Sequence, residues 1–220
     1  MKKRDVAVIG LGIFGKELAL KLASLGHNVL AVDLDEKKVE EIKDLVDEAI
    51  VADATDIDVL KELQLDRFSI VVLAMTSSFE NIVLTLALLR KMSSNSNVKI
   101  YVKADTDLQA EVLSKIGADK VILPDKEVAY NVAHQITLPN LHKILNIDDN
   151  IDLVEVTVPG AMDGKSLQEL DLRRKYNVNV FICKKNGGKA DLVTDSSMKL
   201  YAGDILVVSG DKDNIMKVFA

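Results

Sequence analysis

A glycine loop near the amino terminus constrains this chain more than any other feature. Val8-Ile9-Gly10-Leu11-Gly12-Ile13-Phe14-Gly15 spells G-x-G-x-x-G directly after an apolar run of strand length. Apolar positions 14, 18, 19, 22 and 25 then recur at helical spacing. Strand, glycine turn and helix in that order predict a phosphate-binding turn. Gly10 permits the tight turn, Gly12 lets backbone N–H groups approach a pyrophosphate, and Gly15 lets the helix lie close on the sheet. The helix N-terminus supplies orphan N–H donors and a partial positive charge, which suits an anion. Context strengthens the motif: a second strand at 29–32 ends on Asp33, 23 residues after Gly10, where a carboxylate accepts hydrogen bonds from ribose hydroxyls. A turn whose Asp33 merely caps a helix explains less of this pattern. With no Arg beside it, Asp33 disfavours a 2′-phosphate and hence NADP.

Downstream, apolar strands and amphipathic helices alternate with short connections. Strands are expected at 49–52, 70–74, 99–102 and 120–123, and helices at 36–45, 56–63, 81–91 and 108–116. The continuous apolar run at 70–74 is the pattern of a central parallel strand. The alternation predicts an α/β fold, a Rossmann-like doubly wound parallel sheet over residues 1–125. After Pro124 the rhythm changes. Residues 128–136 are helical in pattern, and Pro139 interrupts before 141–145, so 126–148 is expected to hold crossover and dimerisation helices. Beyond a polar stretch at 146–150, residues 149–220 predict a small α+β domain. Its strands are expected at 153–158, 178–183, 190–193 and 205–209, with helices at 166–170 and 212–219. Turn chemistry at Asn186-Gly187-Gly188 and Ala202-Gly203-Asp204 separates them.

Composition narrows the function classes. A formal net charge of −6 argues against general nucleic-acid binding, which needs a positive field. The single cysteine, Cys183, lies in the apolar run Val180-Phe181-Ile182-Cys183 and reads as a buried strand residue. It leaves no internal disulfide and no cysteine zinc cluster, and there is no H-E-x-x-H or comparable metal-ligand cluster. No apolar run approaches the roughly 20 residues that span a bilayer. The basic, then apolar start MKKRDVAVIG lacks a small-residue cleavage site and reads as the first strand of a cytoplasmic protein.

Other candidate ligand residues follow strand ends, where open α/β sheets bind ligands. Asp53, in Ala52-Asp53-Ala54-Thr55, is placed to accept an adenine amino group with Ala54 flanking the base; capping the next helix is an equally simple role. Met75, Thr76 and Ser77 follow the fourth strand, and Lys103, Ala104 and Asp105 the fifth. Lys103 is either a phosphate contact or a solvated side chain.

The whole chain resembles the RCK (regulator of potassium conductance) proteins of the Trk/Ktr potassium-uptake systems. The matching stretches are AVIGLGIFG (7–15), HNVLAVD (27–33), ADAT (52–55), YVKA (101–104), IGADKVILP (116–124) and AGDILVVSG (202–210). The combination of IGADKVILP, a following helix and a small β-rich TrkA-C module is the specific part, and one copy of each module resembles the Ktr-type subunit. The resemblance implies a cytosolic regulatory, gating subunit without catalysis. It docks on the cytoplasmic face of an integral-membrane potassium-translocating protein and is peripheral to the cell membrane. It also implies a homodimer assembling into a ring, usually an octamer, and an adenine nucleotide (ATP, ADP, AMP, NAD or NADH) as ligand. The implied contacts are Gly10, Gly12, Ile13, Phe14, Gly15, Asp33, Leu34, Asp53, Ala54, Met75, Thr76, Ser77, Lys103, Ala104 and Asp105. Two departures weigh against ATP and for NAD(H), ADP or AMP. Ile13 stands where many Ktr-type members carry a phosphate-pairing Arg, and Asp125 stands where many carry Glu. Some TrkA-C domains bind cyclic di-AMP; Arg173 and Arg174 lie in the corresponding segment, where a solvated basic face is the simpler expectation.

An NAD-dependent oxidoreductase is the competing class. It needs an acid/base over the nicotinamide, and none of His27, His134 and His142 falls at the carboxyl end of a strand. A redox-sensing transcription regulator would need a basic DNA-binding module, which the sequence lacks.

Overall fold

The computed structural model describes residues 3–75, 78–93, 97–137, 140–147 and 151–219. The chain divides into two compact units, Met1–Lys126 and Glu127–Ala220.

In the first unit β1 (Asp5–Ile9), β2 (Asn28–Asp33), β3 (Glu48–Val51), β4 (Ile70–Leu73), β5 (Lys99–Lys103) and β6 (Lys120–Ile122) form one parallel sheet, ordered β3-β2-β1-β4-β5-β6. Alternation along β1 sends Val6 and Val8 to one face and Ala7 and Ile9 to the other, all at most 2% exposed. On the first face they pack in one cluster with Ala19 of α1 (Ile13–Ser24) and Val39 of α2 (Glu36–Glu40). On the other they join Leu60 of α3 (Ile57–Glu62), Leu86 and Leu89 of α4 (Phe79–Met92) and Leu113 of α5 (Asp107–Ile116). Each fully buried Val, Ile or Leu contributes about 1.5–3 kcal/mol, so helices on both faces are what such a sheet requires. The doubly wound α/β fold expected from the sequence is the one observed.

The strand order reverses between β1 and β4, which opens a crevice at the carboxyl ends of the central strands. The ends of α4 and α5 are held by one cation. Arg90 donates to the carbonyls of Gly117 (2.5 Å) and Val98 (3.3 Å) and pairs with Asp119, whose carboxylate also accepts the Ile100 N–H at 2.7 Å. Gly117 ends α5 at φ +121°, with the Arg90 side chain against it. That brace accounts for Gly117 and Asp119 in the IGAD motif.

Three boundaries differ from expectation. The helix expected at 36–45 stops at Glu40, because the following hydrogen bonds mix i→i−3 and i→i−4 partners while Ile42 stays fully buried. The helix expected at 128–136 starts earlier: α6 (Pro124–Thr137) uses Pro124 in its first turn, where a missing N–H costs nothing. Residues 141–145, expected within the crossover and dimerisation helices, form a strand instead. β7 (Leu141–Asn146) pairs antiparallel with β8 (Asp152–Thr157), so satisfied backbone bonds decide a segment whose composition fits either state.

The second unit holds a five-stranded antiparallel sheet ordered β10-β9-β11-β8-β7, with β9 (Asn179–Lys184), β10 (Ala190–Leu192) and β11 (Ile205–Gly210). The short helices α7 (Leu167–Leu170) and α8 (Leu172–Tyr176) precede β9, and α8 went unforeseen. Ile215 and Phe219, one turn apart on α9 (Lys212–Phe219), close the core with Val154, Val156, Leu206 and Val208. Cys183 is buried there, as expected, and burial pushes its thiol up. On α6 Val128, Val132 and Ile136 lie at i, i+4 and i+8 on one face and are 61%, 45% and 77% exposed. Among the described residues no helix is long and apolar enough to cross a membrane.

A single carboxylate ties the turn before β11. Asp204, 2% exposed, accepts Lys185 Nζ at 2.7 Å and the N–H groups of Tyr201 (3.0 Å) and Asn186 (3.2 Å). Burial opposes its charge, but these donors outweigh burial and hold its carboxyl below the ordinary 3.8. A depressed folded-state pKa gives stability that is complete above the unfolded value and lost as pH falls through the folded one. The wild-type chain should therefore lose melting temperature as pH drops below about 4. Asp204→Asn should lose about 1–3 kcal/mol at pH 7 and show a flatter dependence across that window. Circular-dichroism melts over a pH series check both expectations.

Candidate functional site

The loop after β1 is shaped by close backbone approach. Gly10 donates to Val32 O at 2.7 Å and sits at φ +97°, where a Cβ would lie 2.6 Å from Met75 N. A Cβ on Gly15 would lie 1.9 Å from Gly10 O and 3.0 Å from Ala74 Cβ, so α1 seats on the sheet only because residue 15 has none. Gly12 differs from both in its backbone. It is the N-cap of α1 with φ −64°, torsions open to any residue. The first turn of α1 has no acidic residue and no side-chain cap, which leaves its N–H donors facing the crevice end of the sheet for an anion.

Asp33, at the end of β2, ties this loop to its neighbour. One carboxylate oxygen accepts Leu11 N–H at 2.5 Å and the other accepts Asp35 N–H at 2.9 Å. Lys38 Nζ stands 3.6 Å from the first oxygen. With the side chain only 11% exposed, the carboxylate is fixed in place and still has lone pairs for a ribose diol. Across the cleft, Asp53 Oδ1 accepts Thr55 N–H at 2.9 Å and Thr55 Oγ1 at 2.7 Å. The hydroxyl first and the amide second hold the Asp53 carboxyl below its ordinary range, so it is an acceptor at neutral pH. The cap of α3 is Asp56, whose side chain accepts Asp58 N–H, so Asp53 does not cap that helix.

Gly10, Asp33, Leu34, Asp53, Ala54 and Met75 line one cleft of about 400 Å³ at the strand ends. Ile13, at the start of α1, is 90% exposed, and Phe14 packs against the core beneath the helix. Thr76 and Ser77 lie outside the described residues. Lys103, Ala104 and Asp105 do not line this cleft. Lys103 Nζ is paired with Asp105 at 2.7 Å, and Ala104 is buried with its N–H on Ile122 O. A strand-end position placed Lys103 near the site, but β5 lies beyond β4 from the glycine loop.

The cleft also holds residues the sequence did not single out: Asp35, Lys38, Thr55 and Asn81. Lys38 lies in α2, five residues after Asp33, so a cation stands beside Asp33 although no Arg does. Asn81 arrives from the first turn of α4, a distant element that no local pattern ties to the loop. Among the described residues no histidine lines the cleft, and His27 is buried with Nδ1 accepting Arg4 N–H. Among the described residues no group of three His, Cys, Asp or Glu is arranged to hold a metal ion.

Comparison with known proteins gives a consistent family. Residues 6–124 match the TrkA-N domain and residues 153–220 the TrkA-C domain. The chain is 35% identical to Ktr system potassium uptake protein C of Bacillus subtilis (strain 168) over 98% of this chain and 96% of that one. The GsuK RCK domain superposes with a TM-score of 0.68 at 18% identity, covering 100% of this chain and 48% of that one, so this chain spans about half its length. The NAD(P)-binding domain of an exopolyphosphatase-related protein from Archaeoglobus fulgidus gives 0.52 at 30% identity, covering 61% of this chain and 98% of that domain.

The loop's packing predicts an asymmetric response to added methyl groups. Gly15→Ala should destabilise by about 3 kcal/mol or more, because the clash is with backbone. Gly26→Ala meets nothing within 4 Å and should cost only about 1–2 kcal/mol, from its φ of +81°. Urea unfolding midpoints of the two variants measure the difference.

Proposed function

The chain belongs to the TrkA-N and TrkA-C family of Ktr potassium uptake proteins, and we propose that it is the cytosolic nucleotide-binding regulatory subunit of a Ktr-type potassium transport system. The observation that carries this reading is the near full-length likeness to a potassium uptake protein, supported by a cleft at the strand ends lined by Gly10, Asp33, Asp53 and Ala54. In this reading the N-terminal amides of α1 hold a phosphate and Asp33 takes the ribose hydroxyls. Asp53 and Ala54 face the adenine, and Leu34 and Met75 supply apolar contact. Ile13 and Phe14, at the start of α1, border the phosphates, and Lys103 to Asp105 contribute only through a partner subunit or a rearranged strand end.

The ligand class is an adenine nucleotide. Ile13 brings no charge to a third phosphate, so NAD, NADH, ADP and AMP rank above ATP. The chain itself performs no catalysis. Nucleotides act by linkage: a ligand shifts an equilibrium between two subunit arrangements only by the difference in its affinity for them. The exposed stripe of Val128, Val132 and Ile136 on α6 buries against the same helix of a second copy, and dimers assemble into a ring, an octamer by family likeness. The ring docks on the inner face of the cell membrane, against an integral-membrane potassium-translocating subunit. Arg173 and Arg174 line a separate cleft of about 580 Å³ in the second unit, a candidate for cyclic di-AMP.

Two experiments test the proposal. A thermal-shift panel of NAD, NADH, ADP, AMP, ATP and cyclic di-AMP should raise the melting temperature most for the first four. A ligand at 100 times its Kd adds about 2.7 kcal/mol. Asp33→Ala should abolish the shifts, and a flat panel rejects nucleotide binding. Co-purification with a membrane-embedded potassium transporter should succeed for the wild-type chain, and its failure with the host's own transporters rejects the partner.

A further inference from the structure

Thr85 is an anomaly of α4. Its side chain is fully buried, on a face otherwise given to Ile82, Leu86 and Leu89, and a helix interior gains nothing from a hydroxyl there. Its Oγ1 reaches across to the loop after β3 and donates to the carbonyl of Ala54 at 3.2 Å. That carbonyl begins the peptide unit whose other end is the Thr55 N–H, and this N–H donates to Asp53 Oδ1 at 2.9 Å. A trans peptide is planar, so fixing its C=O toward the core fixes its N–H on the opposite side, toward the cleft. One peptide unit is thus clamped at both ends, by Thr85 beneath and by Asp53 above. Asp53, Ala54 and Thr55 all line the cleft, whereas Thr85 does not.

We infer that Thr85 is a positioning residue for base recognition: through the Ala54–Thr55 peptide it aims the Asp53 carboxylate at the amino group of an adenine base. The inference rests on the proposal that this cleft takes an adenine nucleotide. Without the hydroxyl, the Ala54 carbonyl, in a residue 5% exposed, loses its Thr85 donor and the peptide is freer to rotate. Asp53 then loses the Thr55 N–H and is held by the Thr55 hydroxyl alone. Adenine carries an exocyclic amino donor where hypoxanthine carries a carbonyl, so the ratio of ADP to IDP affinity reads the aim of Asp53 directly.

Calorimetric titration of the full chain with ADP and IDP tests this in the wild type, Thr85→Val, Thr85→Ser, Asp53→Ala and the Thr85→Val/Asp53→Ala double variant. Wild type should prefer ADP by ~10-fold or more, as a charge-assisted hydrogen bond allows. Thr85→Val should cut the preference to ~2–3-fold, Thr85→Ser should restore it, and Thr85→Val should change nothing further once Asp53 is Ala. Unfolding midpoints of the free proteins are recorded alongside. A purely structural Thr85 would lower the midpoint and leave the ratio intact, and that result overturns the inference. So does a ratio that still falls in the Asp53→Ala background. A wild type that binds neither nucleotide, or both equally, overturns the underlying base-recognition proposal together with this one, whereas an intact wild-type preference that Thr85→Val leaves unmoved overturns this one alone.

Discussion

The close seating of α1 on the ends of β1 and β4 governs everything that faces the cleft. It depends on two absent methyl groups. With Gly10 turned at positive φ against Met75 and Gly15 pressed on the Gly10 carbonyl, the helix starts directly over the strand ends. Its free N–H donors then stand beside the crevice that the strand order opens. Packing at this density leaves no slack for a side chain, so the shape of the loop and the stability of the fold share the same contacts.

Two carboxylates divide the rest of the cleft, and neither is a free charge. Asp33 is locked by the amides of Leu11 and Asp35, with Lys38 at its flank. Asp53 is locked by the amide and hydroxyl of Thr55, and that amide belongs to a peptide anchored from below by Thr85. Preorganisation of this kind lets a ligand bind without first ordering the side chains it meets. In the proposed reading, ligand occupancy is thereby coupled to backbone position in two loops. A chain that regulates by binding needs differential affinity between conformations, and rigidly held contacts supply it when the loops move as units.

The second unit solves a different problem. An antiparallel sheet of five strands with short helices has a small core, and its turns are held by polar side chains. Asp204 gathers Lys185, Tyr201 and Asn186 around one carboxylate, and Lys185 also sits 5.0 Å from the centre of the Tyr201 ring and donates to Lys199 O. The Ala202-Gly203-Asp204 turn is therefore specific beyond its glycine. Here the last residue of the turn supplies the tie between the ends of β9 and β11.

The sequence by itself determined the parallel sheet, its order of strand and helix, the glycine loop and the place of Asp33, Asp53 and Met75. Each of these is written in local periodicity or fixed spacing, which a chain carries whether folded or not. Resemblance carried the family, because IGADKVILP and the β-rich ending lie far apart yet occur together. Only the tertiary structure decided that residues 141–146 are a strand, since their partner β8 is what satisfies their backbone. It alone removed Lys103 from the cleft by pairing it with Asp105 and placing β4 between. It alone brought Asn81 to the cleft and Thr85 beneath it, because α4 reaches the loop after β3 through a contact 31 residues apart in sequence. A side chain's type is local, but its partner is chosen by packing, and in this protein the partners define the site.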